Sequence, residues 1–167
     1  DPSVCDHLIN GIGFMKRPEY LDLPSSNFSQ IFAEFSCNIE ADIFVYAHAT
    51  APFVKADTIH QGITAVVSGK YDSAFCAEKL QDFIWYNGEP LNFDAVNVPR
   101  SQDLPVYYRE TSGVYVFKKE VFKMYNRRIG KTPYILEVTS REAVDINTLA
   151  DFQLAEHLLS FKEKDDG

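Results

Sequence analysis

Ile43-Phe-Val-Tyr-Ala47 runs directly into His48-Ala-Thr-Ala-Pro-Phe-Val54 and then into a helical stripe at Ile59, Ile63, Val66 and Val67. The succession reads as a strand, a loop and a helix. Five apolar residues in a row, β-branched and aromatic, predict a strand buried on both faces, the habit of parallel sheets. The same alternation continues outward, with strands expected at Ser73 to Ala77, Gly113 to Phe117 and Pro133 to Val138, and helices at Lys119 to Arg127 and Thr148 to Phe161. Strands alternating with helices imply right-handed crossovers and a mainly parallel α/β sheet.

Upstream, Phe28, Ile31, Phe32, Phe35 and Ile39 form one apolar stripe of an amphipathic helix, with Ser25 or Ser26 placed to cap it. Ser3 to Ile9 has helical spacing, and Gly11 to Met15 reads as a short strand. Asn87-Gly88, flanked by Asp82 to Tyr86 and Glu89 to Phe93, is a strong hairpin signal, because both residues tolerate the positive φ of a type I′ turn. The hairpin marks residues 81–108 as a lobe inserted in an α/β domain spanning 1–161. In the last helix Leu149, Phe152, Ala155, Leu158 and Leu159 are expected on the inner face, and Thr148 with Asp151 makes a capping box. Residues 162–167 are a charged tail expected to be disordered.

Apolar content of 46% with 24% charge fits an ordinary globular domain. The longest apolar runs fall far short of the ~20 residues of a membrane helix, so no membrane partner is expected. Cys5, Cys37 and Cys76 are too few and too separated for a disulfide scaffold or a C-x-x-C site, which points to a reducing cytoplasm. A net charge of −8 argues against a nucleic-acid partner. Yet between Arg100 and Lys131 eight basic side chains face three acidic ones, a local island suited to a small anionic ligand or, equally, to a solvated surface.

Loops that follow strands carry the highest expectation for chemistry in an open α/β sheet. The loop after Ala47 offers His48, Thr50 and Lys55, and reads either as a polar substrate site or as a tight turn feeding a helix. Asp145 lies between a strand and a helix, where its carboxylate can reach Mg²⁺ or cap the helix; Asn147 has the same two options. Arg100, with Gln102 beside it and Tyr115 on the following strand, presents a planar fork and a hydroxyl that fit a sugar acid.

These segments resemble the acylneuraminate cytidylyltransferases, the CMP-sialic acid synthetases. His48 to Val54 is similar to the family's Q-P-T-S-P-[LF]-R loop, and Arg100-Ser-Gln-Asp-Leu-Pro105 to its R-[ST]-Q-[DE]-L-P segment. Gly113-Val-Tyr115 and Arg128-Ile-Gly130 resemble its G-x-Y strand and R-x-I-G element. Asp145-Ile-Asn147 through Glu156 resembles its closing D-[IL]-D-x-x-x-D-[FL]-x-x-A-E motif.

The resemblance implies a Rossmann-like three-layer nucleotidyltransferase, working as a homodimer through the inserted lobe. It would join CMP from CTP to a nonulosonic acid and release pyrophosphate. Arg100 and Asp145 would be catalytic, Asp145 and Asn147 would hold Mg²⁺, and His48, Thr50, Gln102 and Tyr115 would contact the sugar acid. His48 stands where the family has Gln, and Asn147 where it has a second Asp. No counterpart of the family's glycine- and lysine-rich N-terminal loop occurs here, so the CTP cradle is expected upstream of Asp1 and the chain alone is expected to be weak or inactive. A catalytically inactive sugar-acid-binding or scaffolding domain, and an enzyme for 3-deoxy-octulosonate or pseudaminic acid, are the alternatives.

Overall fold

A computed structural model describes residues 2–161; the tail expected at 162–167 lies outside them. The chain clusters into two compact units that meet in sequence at Asp42 and Ile43.

The first unit holds two 3-10 turns, Pro2–His7 and Glu19–Asp22, and helix α1, Phe28–Asn38. The cap of α1 is Asn27, not Ser25 or Ser26: its side chain accepts from the Gln30 amide while Gln30 returns a bond to the Asn27 amide. Gly11 to Met15 forms no strand, and Ser3 to Ile9 is a 3-10 turn that ends at His7. Phe32 is buried and stacks on Phe28, but Phe35 and Ile39 are exposed, which corrects the expectation of a fully internal stripe. Some forty residues supply too little apolar surface to cover both flanks of a helix.

The second unit is built on a four-stranded sheet in the order β1-β5-β2-β6, with β1 Ile43–Ala47, β2 Ser73–Leu80, β5 Tyr107–Lys118 and β6 Pro133–Val138. Strands β1, β2 and β6 share one direction, and β5 runs against them between β1 and β2. Strand β1 is therefore an edge with an antiparallel neighbour, and Phe44 is its buried residue, so the expectation of burial on both faces fails. Helix α2, Ala56–Val67, covers the face made by Ala74, Cys76, Val114, Val116, Leu136 and Val138. Contact is close because Gly62 has no side chain: a Cβ there would sit 3.0 Å from Leu136 and Val116. The opposite face carries Phe44, Tyr46, Tyr115 and Phe117, paired across β1 and β5.

The lobe inserted between β2 and β5 holds the expected hairpin, β3 Trp85–Tyr86 and β4 Glu89–Pro90, with positive φ at Asn87 and Gly88. Strand β5 starts six residues before the expected Gly113, because Arg109 pairs with Glu78 across the strands and Tyr108 donates to Glu137. Helix α3, Lys119–Tyr125, stops at Asn126, which takes the left-handed conformation. Helix α4, Leu149–Ser160, has the expected Thr148/Asp151 capping box. Its inner face does not form as expected: Ala155 is buried, while Leu149, Phe152 and Leu159 are exposed. Periodicity states which side chains share a face, not whether that face has a neighbour. No helix among the described residues is long and apolar enough to cross a membrane.

Candidate active site

The pairing of β2 with β5 slips between Phe75 and Ala77, leaving Thr111 to Val114 as a bulge beside the carboxyl end of β1. Bulges re-aim side chains, and this one turns Ser112 toward the site. The His48 amide donates to the Gly113 carbonyl, anchoring the loop after β1 on the bulge. The Ile146 amide donates to the Thr50 carbonyl at 2.8 Å, which lays the 139–147 segment along the same loop. A second clasp is the buried Glu142, whose carboxylate accepts from the Lys55 amide and the Thr58 hydroxyl at the start of α2. Two loops distant in sequence thus present His48 and Asp145 together.

Asp145 is not a helix cap, since Thr148 fills that position. The Thr50 hydroxyl lies near enough to hold its carboxyl below the usual range; burial opposes this, and Asn147, Ser112 and His48 add to the lowering. The bond of full geometry runs from Asn147 Nδ2 to Oδ2 at 2.9 Å, while Oδ1 is buried without a hydrogen-bond partner. His48 Nε2 is likewise buried and unpartnered. Its ring lies edge-on to Tyr46 at 4.7 Å and tilted against Tyr115 at 6.1 Å.

Tyr115 is buried and central. Its hydroxyl donates to Glu110 at 2.6 Å and accepts from Arg128 at 2.9 Å. Burial first, then the Glu110 carboxylate, pushes its pKa up, so it stays a neutral phenol. The Arg128 guanidinium stacks on the ring at 3.7 Å from its centre. With its side chain 26% exposed, against 73% for Arg100, Arg128 is the cation built into this cluster.

His48, Thr50, Tyr115, Asp145 and Asn147 are therefore brought together, and Arg100 and Gln102 have partners outside this group. The Arg100 guanidinium closes on Asp103 within its own turn, and Gln102 is an exposed residue whose carbonyl accepts from Gln81. Within the expected basic island Arg109 is bound to Glu78, while Arg127 and Lys131 both lie over Tyr125. Arg128 was legible only as part of an R-x-I-G element, and Glu110 and Ser112 gave no signal at all. Cys76 is buried, and burial pushes its thiol up to about 11, so it is no nucleophile.

Among the described residues no three His, Cys, Asp or Glu side chains gather as a metal group. The donor set nevertheless fits Mg²⁺, which takes one or two carboxylates and completes its shell with phosphates and water. Asp145 Oδ1 is the unpartnered oxygen, and the Asn147 amide, its nitrogen turned to Asp145, keeps its carbonyl oxygen as a second donor.

Burial first, then Arg128, lowers the His48 pKa, against the pull of Asp145. The unfolded chain then binds a proton near pH 6.5 that the folded chain refuses, so stability falls as pH drops below about 6.5 and levels off beneath the folded pKa. Urea midpoints between pH 5 and 7.5 should show this slope in the wild type and a shallower one in His48→Gln. Identical slopes would place the imidazole in solvent.

No family model matches the chain. It is 27% identical over 150 residues to N-acylneuraminate cytidylyltransferase A of Danio rerio, covering 84% of this chain and 35% of that protein. The chain is similar to N-acylneuraminate cytidylyltransferases. A second, from Oncorhynchus mykiss, is 24% identical over 149 residues, covering 84% of this chain and 34% of that protein. The chain thus spans about a third of the length of the curated cytidylyltransferases it matches.

Solved structures agree on the fold. The 4-diphosphocytidyl-2C-methyl-D-erythritol synthase of Anaerococcus prevotii superposes with a TM-score of 0.58 at 13% identity, covering 82% of this chain and 68% of that one. A CMP:2-keto-3-deoxy-manno-octonic acid synthetase complexed with CTP gives 0.57 at 12% identity, covering 82% and 69%. The chain has the Rossmann-like α/β fold of these structures.

Proposed function

We propose that this chain carries the acid-sugar side of a cytidylyltransferase that moves CMP from CTP to a sialic-type nonulosonic acid, with release of pyrophosphate. The observation that supports it most is the pair of buried, unpartnered atoms, Asp145 Oδ1 and His48 Nε2, on facing loops at the carboxyl end of β1. Buried polar atoms without partners are rare, and two in one cluster indicate a ligand group that completes them.

The sugar's anomeric hydroxyl oxygen forms a bond to the α-phosphorus as the bond from that phosphorus to pyrophosphate breaks, and the hydroxyl proton passes to solvent water. Mg²⁺, when bound, neutralises charge on the phosphates. Asp145 would hold it with one carboxylate oxygen, and Asn147 with its amide carbonyl. His48 offers a hydrogen bond to the sugar acid, Thr50 and Ser112 keep Asp145 ionised, and Arg128 faces the sugar's carboxylate from its seat on Tyr115. Most of the rate would come from position and electrostatics rather than from covalent chemistry.

A pyrophosphate-release assay on the complete protein, over four nucleoside triphosphates and a panel of sialic, pseudaminic and 3-deoxy-octulosonic acids with Mg²⁺, tests this reading. CTP with a sialic-type acid should be the preferred pair. Preference for another nucleotide, or for no acid at all, would reject it.

The working unit in this proposal is a homodimer joined through the inserted lobe, on which Trp85, Tyr86 and Val96 are exposed. Such apolar surface is the usual mark of an interface. Trp85→Asp should shift the sedimenting species from dimer to monomer, and an unchanged sedimentation coefficient would move the interface elsewhere.

A further inference from the structure

We infer that Asp72, at the opposite end of β2 from the catalytic loops, is a positioning residue that sets the Arg128 guanidinium in the site by clamping the segment between α3 and β6. The inference rests on the reading of the Arg128 cluster as the sugar-acid site. Asp72 accepts from the Lys131 amide at 2.7 Å and the Thr132 amide at 3.2 Å. Its own amide donates to the Thr132 carbonyl. The other carboxylate oxygen accepts from the Ser73 hydroxyl at 2.8 Å, and that hydroxyl in turn accepts from the Gly130 amide at 2.8 Å. Three consecutive amides, Gly130 to Thr132, are therefore held by one carboxylate and the hydroxyl beside it.

Gly130 makes the clamp possible. A Cβ at this position would lie 2.3 Å from the Asp72 carboxyl carbon and both its oxygens, an overlap that no side chain tolerates. At the other end, Asn126 turns the chain out of α3 through a positive φ. Arg128 sits between these two fixed points, and Arg127 Nη2 donates to the Gly130 carbonyl across the turn. A guanidinium on a free loop would pair with the nearest carboxylate in solvent. Here it lies over the Tyr115 ring, 3.7 Å from its centre, with Glu110 at 3.7 Å. Burial works against charge on Asp72, but the bonds from Ser73, Lys131 and Thr132 outweigh it and keep the carboxyl below its usual range.

The test compares Asp72→Ala, Asp72→Asn and Gly130→Ala with Arg128→Ala by NMR of tyrosine ring carbons, the Tyr115 signal being assigned through Tyr115→Phe. Loss of the stacked guanidinium changes the ring's surroundings whether or not any ligand binds. Asp72→Ala and Gly130→Ala should each move the Tyr115 signal to its place in Arg128→Ala, with the signals of the α2 side of the sheet unmoved; Asp72→Asn should move it part of the way. In the active protein the KM for the sugar acid should rise about tenfold in the same variants, the size of one charge-assisted bond. A folded Asp72→Ala with the wild-type Tyr115 signal overturns the inference; if that variant does not fold, a wild-type signal in Gly130→Ala overturns it instead. Absence of any CMP transfer by the wild type would defeat the proposed function and leave the Tyr115 comparison standing.

Discussion

Replacing Asp145 by Ala is expected to lower CMP transfer by about a hundredfold or more, the loss found when one preorganised electrostatic group is removed from an active site. The carboxylate stands between Thr50, Ser112 and Asn147, all of which favour its charge, and its Oδ1 has no partner within the protein. In the proposed function that free oxygen is the one offered to the metal. Asp145→Asn should lose nearly as much, because it keeps the shape and removes the charge. Thermal stability should change little in either, since no described hydrogen bond of the core passes through this side chain. Turnover within threefold of wild type in both variants would take Asp145 out of the chemistry.

The largest expected loss of stability belongs to Leu136→Ala. Leu136 is fully buried on β6, beneath α2, with its Cδ1 against the bare backbone of Gly62. Truncation removes apolar contact and leaves a cavity that the helix cannot fill, because helix and sheet already touch at Gly62. Such changes cost about 2–5 kcal/mol, measurable as a drop in the urea midpoint at constant m-value. A cost below about 1 kcal/mol would show that the helix can settle into the gap. The site should suffer with the core, since α2 begins where Glu142 binds Lys55 and Thr58.

Much of the second unit was legible because its signals are local. Strand β6 and helix α4 start and stop where apolar runs, Pro133 and the Thr148/Asp151 box place them. The hairpin follows from Asn87-Gly88. Strand β5 was half hidden, because Tyr108, Arg109 and Glu110 form its exposed half: Glu137 and Glu78, which pair with the first two, are distant in sequence, and Glu110 meets Tyr115 only across the bulge of the same strand. The edge position of β1 was not readable either: a run of five apolar residues does not say how many neighbours a strand has.

The site divides in the same way. His48, Thr50, Tyr115, Asp145 and Asn147 were found because they follow or lie on strands, where loops converge. Arg100 and Gln102 were grouped with Tyr115 from their chemistry and from the resemblance, but residue types do not show that Asp103, three positions on, takes the guanidinium. Arg128 was passed over as one charge among eight, and its selection depends on a tertiary clamp of Asp72 and Ser73 on the Gly130, Lys131 and Thr132 amides, 57 to 60 residues apart in the chain.

The most direct test of the account is a single-turnover experiment with the complete protein, CTP labelled at the α-phosphate, Mg²⁺ and N-acetylneuraminate. The account predicts that the label moves to the sugar acid in the wild type, slows by about two orders of magnitude in Asp145→Ala, and slows more in Arg128→Ala than in Arg100→Ala. Label that stays on the nucleotide in the wild type, or moves at the wild-type rate in Asp145→Ala, would contradict it.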